Sequence, residues 1–146
     1  MIAILQRVRE ARVEVAGRVC GQIGTGLLML VCAEPDDPEA ITEKLIQKVL
    51  KLRVFSDAAG KMNRSVQDVG GGLLIVSQFT LAADTSGGNR PSFSGAAPAE
   101  LGRRLYEHGL TFARSQHGLV QSGEFGADMQ VHLLNDGPVT IPLRMT

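Results

Sequence analysis

The stretch Asn135–Thr140, NDGPVT, limits the fold more than any other. ADMQVHLL precedes it and IPLRM follows it, and both flanks read as buried strand. Proline has no N–H to give a ladder, so a sheet tolerates it only at an edge or a turn. Glycine before it frees the backbone from the restrictions of a Cβ. The chain is therefore expected to run through a C-terminal strand that is opened midway. From the residues alone a trans Gly137–Pro138 bond is favoured, since only about 5–6% of X–Pro bonds in folded proteins are cis.

Around that element the pattern is mixed. Ile2–Val15 alternates apolar and polar residues, Gly17 turns the chain, and Arg18–Ile23 follows. After GTG comes LLMLVCA, apolar throughout, as a strand covered on both faces would be. In EPDDPEAITEKLIQKVLKL, Ile41, Leu45, Val49 and Leu52 recur at helical spacing, with Asp37 expected as the cap and Pro38 in the first turn. RVF reads as a short strand and SDAAGKMNRS as a loop. Leu73 to about Phe79 reads as a buried strand, and AADTSGGNRPSFSGAA as a long polar loop of the kind that usually carries function. A second helix is expected over PAELGRRLYEHGLTFARSQ, with Leu101, Leu105 and Phe112 inward. Strands follow near Leu119–Ser122, Met129–Leu134 and Val139–Leu143. No repeat or linker divides the chain, so residues 1–146 form one α+β domain.

Composition removes several function classes. Fifteen Lys and Arg balance fifteen Asp and Glu, so no global field draws the chain to nucleic acid. Local patches remain open: Lys44, Lys48, Lys51 and Arg53 lie close together, and Arg103 adjoins Arg104, although solvated helix faces are the simpler reading. With no Trp and 4% aromatic residues, base-stacking platforms are poorly supplied. Cys20 and Cys32 sit in apolar stretches and form no CxxC, which suits reduced, buried thiols and a cytoplasmic setting. The charged segment MIAILQRVREARVEV is neither a signal-peptide core nor a membrane span.

The catalytic signals are few. AAGK lacks the upstream glycine and following Ser/Thr of a phosphate loop. His108, His117 and His132 match no metal spacing, and no metal or cofactor is expected. Ser77 lies outside a G-x-S-x-G elbow. What remains is SQFTL, Ser77–Leu81, at a strand end where freed N–H groups could hold an oxyanion; ordinary capping by Ser and Thr is the plainer alternative.

Six ordered motifs nevertheless make the chain resemble the D-aminoacyl-tRNA deacylases over essentially its whole length. They are LQRV at Leu5–Val8, GKMNRSVQDVGG at Gly60–Gly71, SQFTL at Ser77–Leu81, RPSF at Arg90–Phe93, FGADMQV at Phe125–Val131 and NDGPVT. The resemblance implies a barrel-like core of mixed and antiparallel sheet with two main helices. It also implies a homodimer whose active site lies at the subunit interface. The Gly137–Pro138 bond would be cis and would reach into the partner's pocket, where its carbonyls bar the side chain of an L-amino acid. Arg7 would brace that element. Ser77, Gln78, Phe79 and Met129 would line the pocket, and backbone N–H groups around Phe79 and Thr80 would hold the oxyanion.

The implied reaction is ester hydrolysis of D-aminoacyl-tRNA at its 3′ end by a positioned water, with glycyl-tRNA also accepted. The resemblance further implies a cytoplasmic enzyme of translation quality control, with no membrane or DNA partner. A covalent Thr80 nucleophile is disfavoured, because no neighbouring base is visible to activate it. Two other readings are a non-catalytic RNA-binding or assembly module, and a small-molecule D-amino-acid esterase that uses Ser77 or Thr80.

Overall fold

The alternation in Ile2–Val15 becomes a single 14-residue strand, β1, in the computed structural model, which describes residues 1–146. β1 is the hub of the sheet. Along one edge it pairs antiparallel first with β3 (Gly26–Cys32) and then with β2 (Arg18–Ile23). Along the other it pairs antiparallel with β8 (Gln130–Arg144). β3 continues the sheet through parallel pairing with β6 (Gly72–Ser77), and β6 pairs in parallel with β7 (Val120–Ser122). β7 then curls back toward β2: a Cβ on Gly21 would lie 2.2 Å from the Ser122 carbonyl oxygen, so only glycine permits this approach. The six strands thus form a nearly closed, barrel-like mixed sheet.

At β3 and β6 both faces of the sheet are buried, which explains their unbroken apolar runs, whereas β8, expected as buried strand, is exposed or half-buried along its length. Leu27, Met29, Leu73 and Ile75 point to the larger core, packed beneath the helices α1 (Glu39–Lys51) and α2 (Ala99–Gln116). Their neighbours Leu28, Leu74 and Val76 point the other way, into the barrel, with Val8, Ala11, Val13 and Ile23. Leu45, Ile46 and Val49 of α1 and Leu105 of α2 cover the first face.

The structure adjusts several sequence expectations. Pro38, not Asp37, is the N-cap of α1, and it gives no side-chain cap bond. The Asp37 carboxylate instead accepts the Glu34 N–H at 2.8 Å. In α2 the inner stripe is Leu105, Tyr106, Gly109, Leu110 and Ala113, while Leu101 and Phe112 are only half-buried. The short strand expected at RVF is present one to two residues later as β4 (Phe55–Ser56), and the loop expected after it holds a second short strand, β5 (Met62–Arg64), paired with β4 as a small hairpin. Its turn is organised by Asp57, whose carboxylate accepts the N–H groups of Ala59 and Lys61. β6 ends at Ser77, two residues short of the expected Phe79. No helix is long and apolar enough to cross a membrane.

Candidate active site

Where β6 ends, the backbone turns sharply. Gln78 has φ −143° and ψ 77°, its N–H donates to the Val31 carbonyl at 2.8 Å, and a 3₁₀ turn spans Phe79–Ala82. A helical turn leaves its leading N–H groups without an acceptor of its own. Here those groups belong to Phe79 and Thr80, the pair named from the sequence. The Thr80 hydroxyl accepts the Gln78 side-chain amide, so it is held in place with no base beside it. The buried Cys32 thiol, 3.6 Å from the Phe79 carbonyl oxygen, backs the turn. Burial, and then the charge of Glu34, push that thiol's pKa up, so it stays a protonated donor.

The turn forms one wall of a cleft of about 560 Å³. Ser77, Gln78, Phe79 and Met129 all line it, whereas Thr80 sits outside the lining. Phe93 and Phe125 complete the mouth, and the residues alone had assigned neither. Phe93 comes from the long polar loop and meets Phe79 edge-to-face, with ring centroids 5.1 Å apart. The loop is pinned there by the Asp84–Ser92 bridge and by Ala97 N–H donating to the Ala33 carbonyl. An aromatic residue inside an otherwise small and polar loop was the signal that could have found Phe93. Phe79 remains 57% exposed.

No Asp, Glu, Lys, Arg or His side chain lines this cleft. Tyr106 is its only phenol; the hydroxyl donates to the Ile75 carbonyl at 2.7 Å, and burial pushes its pKa up to about 12. The arrangement sets a largely apolar cleft beside a turn whose Phe79 and Thr80 N–H groups have no backbone acceptor. That suits stabilisation of a developing oxyanion rather than side-chain acid–base work.

The other sequence-derived residues gather on β1 and β8. Between the pairs Gln6–Thr140 and Val8–Asn135, β1 uses only Arg7 while β8 uses residues 136–139. Those residues bulge out of the ladder, and the Gly137–Pro138 bond within them is cis. The trans form that the residues alone favoured is therefore corrected, and the form implied by the resemblance is the one present. Arg7, with its side chain 13% exposed, braces the bulge. Its Nε donates to the Asp136 carbonyl at 3.1 Å and its terminal nitrogen to the Val54 carbonyl at 2.7 Å. Asn135 adds side-chain N–H donation to the carbonyls of Arg7 and Val139, at 2.9 and 3.0 Å. Gly137 adopts φ +131°, where a Cβ would lie 3.0 Å from the Arg7 guanidinium. Neither Gly137 nor Pro138 lines the cleft of its own chain.

The barrel and its helix pair are those of a known class of fold. A solved structure described as a probable eukaryotic D-amino acid tRNA deacylase shares it, with a TM-score of 0.85 at 17% identity over 97% of each chain. A second, described as a c-Myc DNA unwinding element binding protein, superposes with a TM-score of 0.93 at 41% identity, covering 99% of this chain and 98% of that one. Within that class the chain belongs to the D-Tyr-tRNA(Tyr) deacylase family, whose model matches residues 4–144. It is 74% identical to the D-aminoacyl-tRNA deacylase of Methylibium petroleiphilum, over 98% of this chain and 94% of that one. The protein of the same description from Azoarcus sp. is 69% identical over 99% of this chain and 96% of its own.

Proposed function

We propose that this chain is a hydrolase that cleaves the ester bond of D-aminoacyl-tRNA, releasing the free amino acid and tRNA, and that it spares the L-esters. Membership of the family and the deacylase relatives at 74% and 69% identity support the reaction. The observation that carries the chemistry is the cleft lined by no Asp, Glu, Lys, Arg or His side chain, with the 3₁₀ turn that starts at Phe79 in its wall. Water attacks the ester carbonyl, and the oxygen that becomes negative is held by the N–H groups of Phe79 and Thr80. The C–O bond to the terminal ribose then breaks, the ribose oxygen takes a proton, and the amino acid leaves as its carboxylate. With no base in the cleft, the 2′-hydroxyl of the same ribose is the nearest group able to relay that proton.

Chiral selection falls to the Gly137–Pro138 bulge. Its carbonyls face the α-carbon of the substrate, where a D-residue presents hydrogen and an L-residue presents its side chain. Glycine has no side chain to reject, so glycyl-tRNA is accepted too. Because Gly137 and Pro138 lie outside their own chain's cleft, a second copy supplies the filter, and the working unit is a homodimer. The outward-facing hydrophobic residues Phe79, Phe93, Leu133 and Leu134 support such a contact, Leu134 being 51% exposed.

The test is turnover of D-aminoacyl-tRNA at substoichiometric protein, beside the methyl ester of the same D-amino acid. Many turnovers on the charged tRNA and slow cleavage of the methyl ester are expected. Equal rates on both would replace the tRNA reading with that of a small-molecule esterase. Light scattering with size exclusion should give twice the 15.6 kDa chain mass.

A further inference from the structure

Six of the chain's fifteen Lys and Arg residues lie between Lys44 and Arg64: Lys44, Lys48, Lys51, Arg53, Lys61 and Arg64. All six are exposed. None forms an ion pair within the chain, whereas Arg7, Arg9, Arg12 and Arg144 on β1 and β8 are all paired. The only carboxylates between residues 44 and 64 come from Asp57, which the hairpin turn occupies through the N–H groups of Ala59 and Lys61. A chain with no net charge thus carries a concentrated cationic strip.

The helix dipole accounts for part of the strip, since Lys48 and Lys51 stand in the last turn of α1. It does not account for Arg53, Lys61 and Arg64, which lie beyond the helix. The strip is continuous in space. Lys44, Lys48 and Lys51 share one helix face, spread over roughly 10 Å at 1.5 Å per residue. Arg53 follows two residues on and donates to the Asn63 side chain in β5 at 3.1 Å, which ties the helix end to the hairpin. Val54, next along, accepts the Arg7 guanidinium that also holds Asp136, so the strip runs directly to the Gly137–Pro138 bulge.

We infer that this strip, Lys44–Arg64, is where the phosphate backbone of the tRNA acceptor arm is gripped. The inference rests on the tRNA-deacylase reading for the identity of the RNA. Unpaired, exposed cations in a row fit a polyanion, and they neutralise phosphates without reading sequence. The contact with the bulge puts the grip beside the element that the aminoacylated 3′ end has to meet. The uncharged cleft recognises the aminoacyl ester and contributes nothing to binding the phosphates, so the tRNA body needs a separate hold.

The experiment compares two double variants that remove equal charge. Lys51→Gln/Lys61→Gln lies on the strip; Arg104→Gln/Arg114→Gln lies on α2, at residues that are also exposed and unpaired. Binding of uncharged tRNA to each full-length protein is measured across a salt series. Strip neutralisation should raise Kd about fivefold or more and lower the slope of log K against log salt by about 1–2, while the α2 variant matches wild type. Equal weakening by both variants, or by neither, overturns the grip. Hydrolysis of D-aminoacyl-adenosine, which has no acceptor arm, should be unchanged in the strip variant, and a parallel fall there also overturns it. If tRNA binding is strip-dependent yet wild type never deacylates D-aminoacyl-tRNA, the grip stands and the enzymatic reading fails.

Discussion

Removing the Arg7 guanidinium should loosen the filter and cost stability together. Arg7→Ala leaves the carbonyls of Asp136 and Val54 without their charged donor, at 3.1 and 2.7 Å. A hydrogen bond to a charged group contributes roughly 1.5–3 kcal/mol, so two set an upper bound of about 3–6 kcal/mol. The bulge borders solvent, and Asp136 also pairs with Arg9 at 3.6 Å, so water and relaxation recover part of that. A loss of about 2–4 kcal/mol is the reasoned value. Arg7→Lys keeps the charge but replaces the planar fork with a point donor, and should recover less than half of the loss. Urea unfolding at one fixed protein concentration measures the stability, because dimerisation makes it concentration-dependent. Rates on matched D- and L-aminoacyl-tRNA measure the filter, whose D/L ratio should fall about tenfold or more for each 1.4 kcal/mol of lost positioning. An Arg7→Ala protein within about 0.5 kcal/mol of wild type, with its D/L ratio intact, would refute the bracing role.

Other expectations follow from the same geometry. Gly137→Ala places a Cβ 3.0 Å from both the Arg7 guanidinium and Val139 Cγ2 at φ +131°, and should cost about 1–3 kcal/mol and lower the D/L ratio, as read by urea unfolding and paired deacylation rates. Thr80→Ala should keep deacylation within about threefold of wild type in single-turnover assays, since a hydroxyl that only accepts from Gln78 is not a nucleophile; loss of roughly 10³-fold or more would restore the covalent route. Tyr106, the only tyrosine, has a phenol raised from 10 to about 12, so the folded state keeps a proton that the unfolded state has lost above pH 10. Its contribution is complete below pH 10 and declines by about 2–3 kcal/mol as pH rises toward 12, an alkaline limb that Tyr106→Phe should flatten in pH-dependent unfolding.

Much of the scaffold was legible because both periodicities are strong. The alternation of β1 and the stripe Leu45, Ile46, Val49 and Leu50 needed only the chain itself. The apolar runs of β3 and β6 announced burial on two sides. The capping of α1 was misplaced by one residue because Asp37 satisfies Glu34 rather than the helix, a choice set by the preceding turn. The second strand of the β4–β5 hairpin was invisible because all three residues of β5 are exposed, so no hydrophobic alternation marks them. SQFTL read as a strand through Phe79 because an apolar run carries no sign of where its backbone turns. The break in β8 was plain from Asp-Gly-Pro. Its bond geometry was not, because the brace comes from Arg7 and Asn135, and Arg7 is more than a hundred residues away in the chain. The cleft was half legible: Ser77, Gln78, Phe79 and Met129 were given a place in it, while Phe93 and Phe125 lay in quoted motifs without a role until the tertiary fold brought them to the same cleft.

A backbone filter and a side-chain pocket make different choices among aminoacyl esters. Rates for one tRNA charged in turn with a D-amino acid, its L-enantiomer and glycine separate the two. With a backbone filter the D- and glycyl-esters should be hydrolysed and the L-ester should survive about 100-fold longer, a difference of roughly 2.7 kcal/mol. An L-ester cleaved as fast as its mirror image, or a glycyl ester spared alongside it, would contradict the backbone filter.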